Sequence, residues 1–500
     1  MSRATGSKSH PSSNPPGNGD FGNILQNRLS AVAAYFDRPT LIALVVGSLA
    51  LFGAILAPRI ADSQTLTILF FVLFFGLIGA YFLLRWPILG IAGIIVASLA
   101  VPFSLSTGSA TGVNAGVLLL IVMLGLWFFD MLARKKEIRL ISMRVINAAL
   151  VFCVISVIAF GFGQISWFQT QGAPVGAQVA GLMIFLLSAG AFLLVAHQVK
   201  SKKELEWITW VFLGVGSLYL IGRMIPFVNQ NIYNIFVREA TLGALFYIWF
   251  VSMALSQALF NRDLSKKWRI FLGGMILIFL YLNVGISRFW LSGWLPPFAA
   301  ACFILLLAKP RLGIGLMVLG VIYLLIDSQI VSDITSGGDN EFSRLTRLVA
   351  WQIIAEMVKV NPIFGLGMAN YYYYTPLYSI LGYNVQFNSH NNYVDIIAQA
   401  GLVGLLAFTW FLWEIFRLGM KMRGRVSPGF SQAFVYGVLG GFAGSVLAGM
   451  FGDWLIPFFY NIGLEGFRAS VIGWMFMGGL VALYQIEKNR IESGAEISTD

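Results

Sequence analysis

Charged side chains are scarce in this chain of 500 residues. Asp, Glu, Lys and Arg together make up 11%, against roughly a quarter in a soluble domain. Cysteine is nearly absent. Both copies, Cys153 and Cys302, fall inside apolar runs, so neither a disulfide framework nor a thiolate metal site is supported. The three histidines, His10, His197 and His390, are too few and too scattered for a His-rich metal centre. No Asp-x-Asp pair occurs, which argues against a metal-bound nucleotide-sugar site. What is present is hydrophobic: 58% of residues against a usual ~45–50%, with a mean hydropathy of +0.79. A spanning helix needs ~20 mostly apolar residues, so the chain has material for about fourteen. The expected fold is all-α, a polytopic integral membrane protein of about fourteen spans (12–14).

Residues 1–39 stand apart from this pattern. In Met1–Gly22, 14 of the 22 residues are Gly, Pro, Ser or Asn, a composition that cannot offset its ordering entropy by burial. Phe21, Ile24, Leu25, Leu29, Val32, Tyr35 and Phe36 then recur at helical spacing among polar residues. Residues 1–39 are therefore expected as a disordered cytoplasmic tail followed by a helix lying on the membrane surface. Apolar runs predict spans at 40–57, 66–84, 87–103, 114–132, 146–163, 178–197, 207–226, 240–260, 268–285, 290–308 and 311–327, and at 393–416, 433–452 and 468–485. Residues 40–327 thus hold spans one to eleven, and 392–486 hold spans twelve to fourteen. Residues 487–500 form a second cytoplasmic tail. With both termini inside, 25 of the 33 basic residues fall in cytoplasmic segments, the bias that the positive-inside rule requires. The net charge of +11 orients the chain and calls for no nucleic acid.

Residues 328–391 form a large extracytoplasmic loop, too long for a mere connector. Within it, 345–360 reads as a helix stopped by Pro362, with Arg347, Trp351, Ile354 and Val358 on one face. An arginine on such a docking stripe is costly unless something anionic meets it. Few cations lie on the outer side. Arg238, Arg288, Arg344 and Arg347 could hold a pyrophosphate, because guanidinium forks match phosphate oxygens and stay charged. They could equally be headgroup-level arginines, or partners for Glu239, Asp333 or Glu341. His390 is the lone outer histidine and can accept a proton from a hydroxyl near neutral pH, or can simply cap the helix that follows. Asp395 and Glu239 are alternative proton acceptors. Tyr371–Tyr374, Tyr378 and Tyr383 suit either a glycan groove, with Tyr372 as a candidate stacking ring, or an interfacial aromatic belt. The spacings Gly437/Gly441 and Gly440/Gly444 read as helix packing.

Taken in order, Arg347-Leu-Val-Ala-Trp351, Asn361-Pro-Ile-Phe-Gly365-Leu-Gly367-Met-Ala-Asn370, Ser389-His390-Asn391-Asn392-Tyr393 and Ala400-Gly401-Leu402-Val403-Gly404 resemble the signature region of the O-antigen ligase and Wzy-type polymerase superfamily. Ser287-Arg288 is similar to that family's Ser-Arg motif. The close resemblance covers about 345–410, with a looser one from 238 onward. It implies a glycosyltransferase that uses a glycan linked to undecaprenyl pyrophosphate, without metal or cofactor. It also implies a bacterial cytoplasmic-membrane location, with a glycan or lipid acceptor and a chain-length regulator or export complex as further partners. Carried over by motif, His390 and Arg288 are the catalytic residues. Arg347, Arg344 and Tyr372 join Arg238 (placed by position alone) in binding substrate. Two features depart from the family: Gln399-Ala400 stands where an acidic residue is common, and fourteen spans exceed the twelve typical of ligases. The rival expectation is a transporter or flippase of lipid-linked oligosaccharide, and a weaker third is a scaffold of an export complex. Transporters place polar sites near the bilayer midplane and often repeat their halves, whereas here the candidates cluster at one face.

Overall fold

The structure is a computed structural model and describes residues 76–105, 112–287, 290–326 and 338–497. The tail and surface helix expected in 1–39, the span expected at 40–57, most of that at 66–84, and Arg288 lie outside the described residues. From Phe82 onward the chain forms one unit, to which all that follows refers.

Thirteen helices carry it: α1 Pro87–Ala100, α2 Ala115–Phe129, α3 Arg144–Phe162, α4 Val175–Gln198, α5 Lys202–Met224, α6 Ala244–Phe260, α7 Lys266–Leu280, α8 Leu291–Ala308, α9 Pro310–Ile326, α10 Gly338–Val358, α11 Asn392–Met422, α12 Phe430–Ala448 and α13 Gly463–Ile497. The only described sheet is a two-residue antiparallel hairpin, Ser104–Leu105 with Val113–Asn114. Each span expected from residue 87 onward coincides with a helix. Eight helices are long and apolar enough to cross a bilayer, and a ninth is reached if Gly76–Arg85 and Pro87–Ala100 count together. The apolar helices α6, α8 and α9 are shorter. The described residues are thus those of a helical, polytopic membrane protein with eight helices long enough to span, and they do not show the full fourteen. Two of the short helices have local causes: Pro296 and Pro297 sit inside α8, and α6 starts only after Gly243, its N-cap residue. The loop helix α10 starts at Gly338, seven residues before the expected Leu345.

Lipid supplies no hydrophobic force between helices, so close approach at small residues and polar ties must hold the bundle. Both are seen. Trp249 of α6 lies between Gly441 of α12 and Gly473 of α13, where an added Cβ would come within 2.5 Å of the indole on either side. Gly440 and Gly444 face α8, with a Cβ on Gly444 falling 2.9 Å from the Pro296 carbonyl. The glycine spacings in α12 therefore serve packing on two neighbours, as their pattern predicts. Stacks of Phe411 on Trp474 (5.1 Å) and Trp249 on Phe476 (5.6 Å) continue this seam along α13. One charge belongs to the scaffold. Arg468 of α13 is 1% exposed; it pairs with Glu465 and donates to the carbonyls of Ala97 (3.1 Å), Val101 (2.9 Å) and Phe103 (3.1 Å). It closes the C-terminal end of α1, where orphan carbonyls gather partial negative charge.

Candidate functional site

The segment after α10 is built around one joint. Pro362 cannot continue a helix, and the Asn361 side chain folds the next turn by donating to the Gly365 carbonyl (2.8 Å). Opposite, α11 breaks at Gly401, whose φ of 68° and ψ of −170° are open essentially to glycine alone. Helical bonds lost at that break are replaced from the loop. Leu402 and Val403 donate to the carbonyls of Pro362 (2.9 Å) and Ile363 (3.2 Å), and Leu366 donates to Ala398 (2.8 Å). Asn-Pro-Ile-Phe-Gly and Ala-Gly-Leu-Val-Gly are thus two halves of a single structure. Asn370 fastens the joint to the preceding helices, donating to the Gly163 carbonyl (2.8 Å) and accepting from Ala173 N–H (2.9 Å). Gln399, where the family often has an acid, accepts from Ala369 N–H (3.0 Å); here the position is structural.

This joint positions the first two turns of α11 and the turn before them. Asn391 caps the helix, its side-chain oxygen accepting from Tyr393 N–H (2.9 Å) and Val394 N–H (3.3 Å). His390 therefore is not the capping residue. It occupies a left-handed backbone conformation (φ 48°) that non-glycine residues adopt rarely, and its neighbours hold it there. The Ser389 hydroxyl donates to Asp395 Oδ1 (2.6 Å) and accepts from Asn391 N–H (2.9 Å), while the Ser389 carbonyl accepts from the Trp351 indole (2.7 Å). Tyr371 donates its hydroxyl to the same Asp395 Oδ1 (2.5 Å) and accepts from Ser389 N–H (3.3 Å). Burial, then the Asp395 charge, pushes the Tyr371 phenol well above its usual range, so it stays a donor. Asp395 is buried, its Oδ1 taken by two donors and its Oδ2 without a partner. It anchors the turn.

Arg347 approaches from α10. Of the face the spacing predicts, Ile354 and Val358 are buried and Trp351 partly so, with Ala350 and Met357 buried beside them. Arg347 is half-buried, and its hydrogen bond among the described residues goes to the Phe451 carbonyl (3.3 Å). Burial lowers its proton affinity, and among the described residues no carboxylate is its partner. Its charge reaches His390. Burial first, and Arg347 second, hold the imidazole below its usual value of 6.5. The result is an imidazole with lowered proton affinity within reach of a guanidinium that, among the described residues, meets only a carbonyl.

The segment between α12 and α13 joins these parts, and the sequence pattern did not reveal it. The span expected at 433–452 absorbed its start, but α12 ends at Ala448. Beyond it, Asn392 accepts from Leu455 N–H (2.7 Å) and donates to Ile456 O (2.7 Å), and Asn391 donates to Met450 O (3.3 Å). Asp453 folds the segment by accepting from Phe458 N–H (2.8 Å) and Asn461 (2.6 Å); burial nonetheless raises its pKa above the usual carboxylate value. A Cβ on Gly243 would lie 3.5 Å from Trp454, so the strand of chain carrying Arg238 abuts the same segment. The available signal was the density of Asp, Asn and aromatic residues in 451–461.

His390 and Arg347 are thus brought together. Arg238 and Glu239 are exposed on the short helix Arg238–Thr241. Arg344 lies one turn before Arg347 on α10; its side chain, like all of Arg288, is outside the described residues. Tyr372 is stacked on Tyr460 (4.7 Å, 10° between planes), while Tyr371 and Tyr374 are core residues. One face of the Tyr372 ring is therefore already covered by protein.

Residues 237–409 match the family model described as O-antigen ligase. The match opens one residue before Arg238, closes beyond the Gly401 joint, and encloses Arg288, Arg344, Arg347 and His390. No curated protein matches the chain.

Proposed function

With the chain a member, through residues 237–409, of the O-antigen ligase (Wzy-type) family, we propose that it is a membrane glycosyltransferase of cell-surface polysaccharide assembly, working at the extracytoplasmic face on a glycan linked to undecaprenyl pyrophosphate. One observation carries the reading: a histidine held below its usual proton affinity in a pinned turn, where the charge of a half-buried arginine, bonded among the described residues to a carbonyl, is felt.

The reaction is a displacement at the anomeric carbon of the donor's reducing-end sugar. The acceptor hydroxyl gives its proton to His390 as its oxygen bonds to that carbon. The bond from the carbon to the pyrophosphate oxygen breaks, and undecaprenyl pyrophosphate departs. Arg288, Arg238, Arg344 and Arg347 are the cations proposed to hold the departing charge, and Tyr372 offers its free ring face to the glycan. Fixed cations aimed at a leaving group stabilise the transition state more than the ground state. The Arg288→Ala variant is expected to lose ~10²–10³ in rate, by analogy with removal of oxyanion donors. Normal product from that variant would remove Arg288 from the mechanism.

The pH dependence has a definite sign. His390 serves as a base only when neutral, and its pKa lies below 6.5, so the rate falls as pH drops through that lowered value and is flat above it. Arg347→Gln removes one of the two causes of the depression. Its residual activity should show the acid limb moved up towards 6.5, read from a rate profile between about pH 4 and 8. A limb that stays in place would mean that another group titrates.

The direct test is purified protein incubated with a lipid-linked repeat, with and without a separate acceptor, and the products sized on a gel. A ladder identifies a polymerase, and a single acceptor-dependent shift identifies a ligase. No product under either condition refutes the transferase.

A further inference from the structure

Arg223 closes α5, and the reaction proposed above makes no use of it. The residue is half-buried, and its partners among the described residues are two phenols: Nη1 donates to the hydroxyls of Tyr219 (3.1 Å) and Tyr233 (3.2 Å). Its Nε–H is buried with no partner at all. The two phenols also meet each other (3.4 Å), with Tyr219 fully buried and stacked edge-on against Phe236 and Phe246. The phenol oxygens are thus set around one guanidinium edge. Among the described residues Arg223 is not ion-paired to a carboxylate. A desolvated guanidinium with an unsatisfied N–H and only neutral oxygens around it is a costly arrangement unless an anion completes it.

We infer that Arg223 and Tyr233 form a phosphate-binding subsite for a phosphorylated lipid, with Tyr219 holding the Arg223 fork in place. The chemistry follows from the donors. A guanidinium presents several N–H groups in a plane, a phenol adds one O–H, and phosphate oxygens accept all of them. Two sources carry that group: the pyrophosphate of a polyprenyl-linked donor, or the phosphodiester of a membrane phospholipid. Only the first rests on the transferase reading.

The test uses the full-length protein in phosphatidylcholine nanodiscs. One arm titrates farnesyl pyrophosphate, and the other exchanges phosphatidylglycerol into the disc, each followed by native mass spectrometry. Arg223→Gln is expected to weaken binding about 10- to 100-fold, the cost of losing a charge-assisted contact. Tyr233→Phe, which removes a single hydroxyl and leaves the ring, is expected to weaken it a few-fold, about 2- to 10-fold. A loss on the farnesyl pyrophosphate arm assigns the subsite to the donor, and a loss on the phosphatidylglycerol arm assigns it to a headgroup. Unchanged binding of both probes by both variants overturns the subsite. Product formation by the wild type alongside that result would sink the subsite alone, whereas binding without any product would sink the transferase and leave the subsite standing.

Discussion

His390→Ala should abolish product, with the variant still inserted in the membrane at wild-type level. General-base catalysis contributes typically ~10²–10⁴ in rate, enough to take a slow glycosyl transfer below detection. The structure narrows the choice of base. Asp395 was an alternative from sequence, but it is buried with one oxygen committed to Ser389 and Tyr371, so its role is to hold the turn. Glu239 is exposed on a different element, the short helix with Arg238. His390 alone combines a lowered proton affinity with a backbone conformation fixed on both sides. The measurement is product per unit of membrane-inserted protein. Normal yield from the alanine variant would require a different base.

Gly401→Ala is expected to have the largest effect on stability. A side chain there would adopt a backbone conformation open essentially to glycine, at about 1–3 kcal/mol. It would also place Cβ 2.1 Å from the Ile363 carbonyl oxygen, which is main chain and cannot swing aside. Moving the loop would break the bonds from Leu402 and Val403 that replace the lost helical pairs. Together these should cost more than about 3 kcal/mol. The expected result is a large drop in thermal midpoint or loss of monodisperse protein in detergent. Gly161→Ala in α3 is the control: nothing lies within 4 Å of its added Cβ, so it should be neutral or slightly stabilising. Equal behaviour of the two variants would show that the joint is not rigid.

Much of the scaffold could be read from the chain alone, because hydropathy marks a lipid-facing helix with little ambiguity. Each apolar run from 87 onward overlaps a helix, though the ends differ by several residues, and the arginine-bearing face of α10 was visible in its spacing. Side-chain partnerships were less legible. Asp395 reads as one more polar residue in a helix until Tyr371, 24 positions earlier, is seen to donate to it. The 449–462 segment lies about 60 residues from Asn392, and no local periodicity announces that pairing. Nothing in the local sequence around Arg468 points to its partners; only the fold brings Ala97, Val101 and Phe103 to it. Spacing did not show that Asn361–Gly367 and Ala400–Gly404 meet in one joint; the backbone bonds between them do.

The break in α11 also divides that helix by depth. Leu402–Met422 is 21 residues, roughly 31 Å at 1.5 Å per residue, close to the ~30 Å of a hydrocarbon layer. Asn392–Ala400 would then rise clear of the acyl chains into the headgroup zone. A shift of the membrane-embedded part, by tilt or by thinning of the bilayer, could be absorbed at the glycine swivel while the short upper piece keeps its register with the loop. Cells that change acyl-chain length would alter the lower piece and leave the imidazole's setting undisturbed.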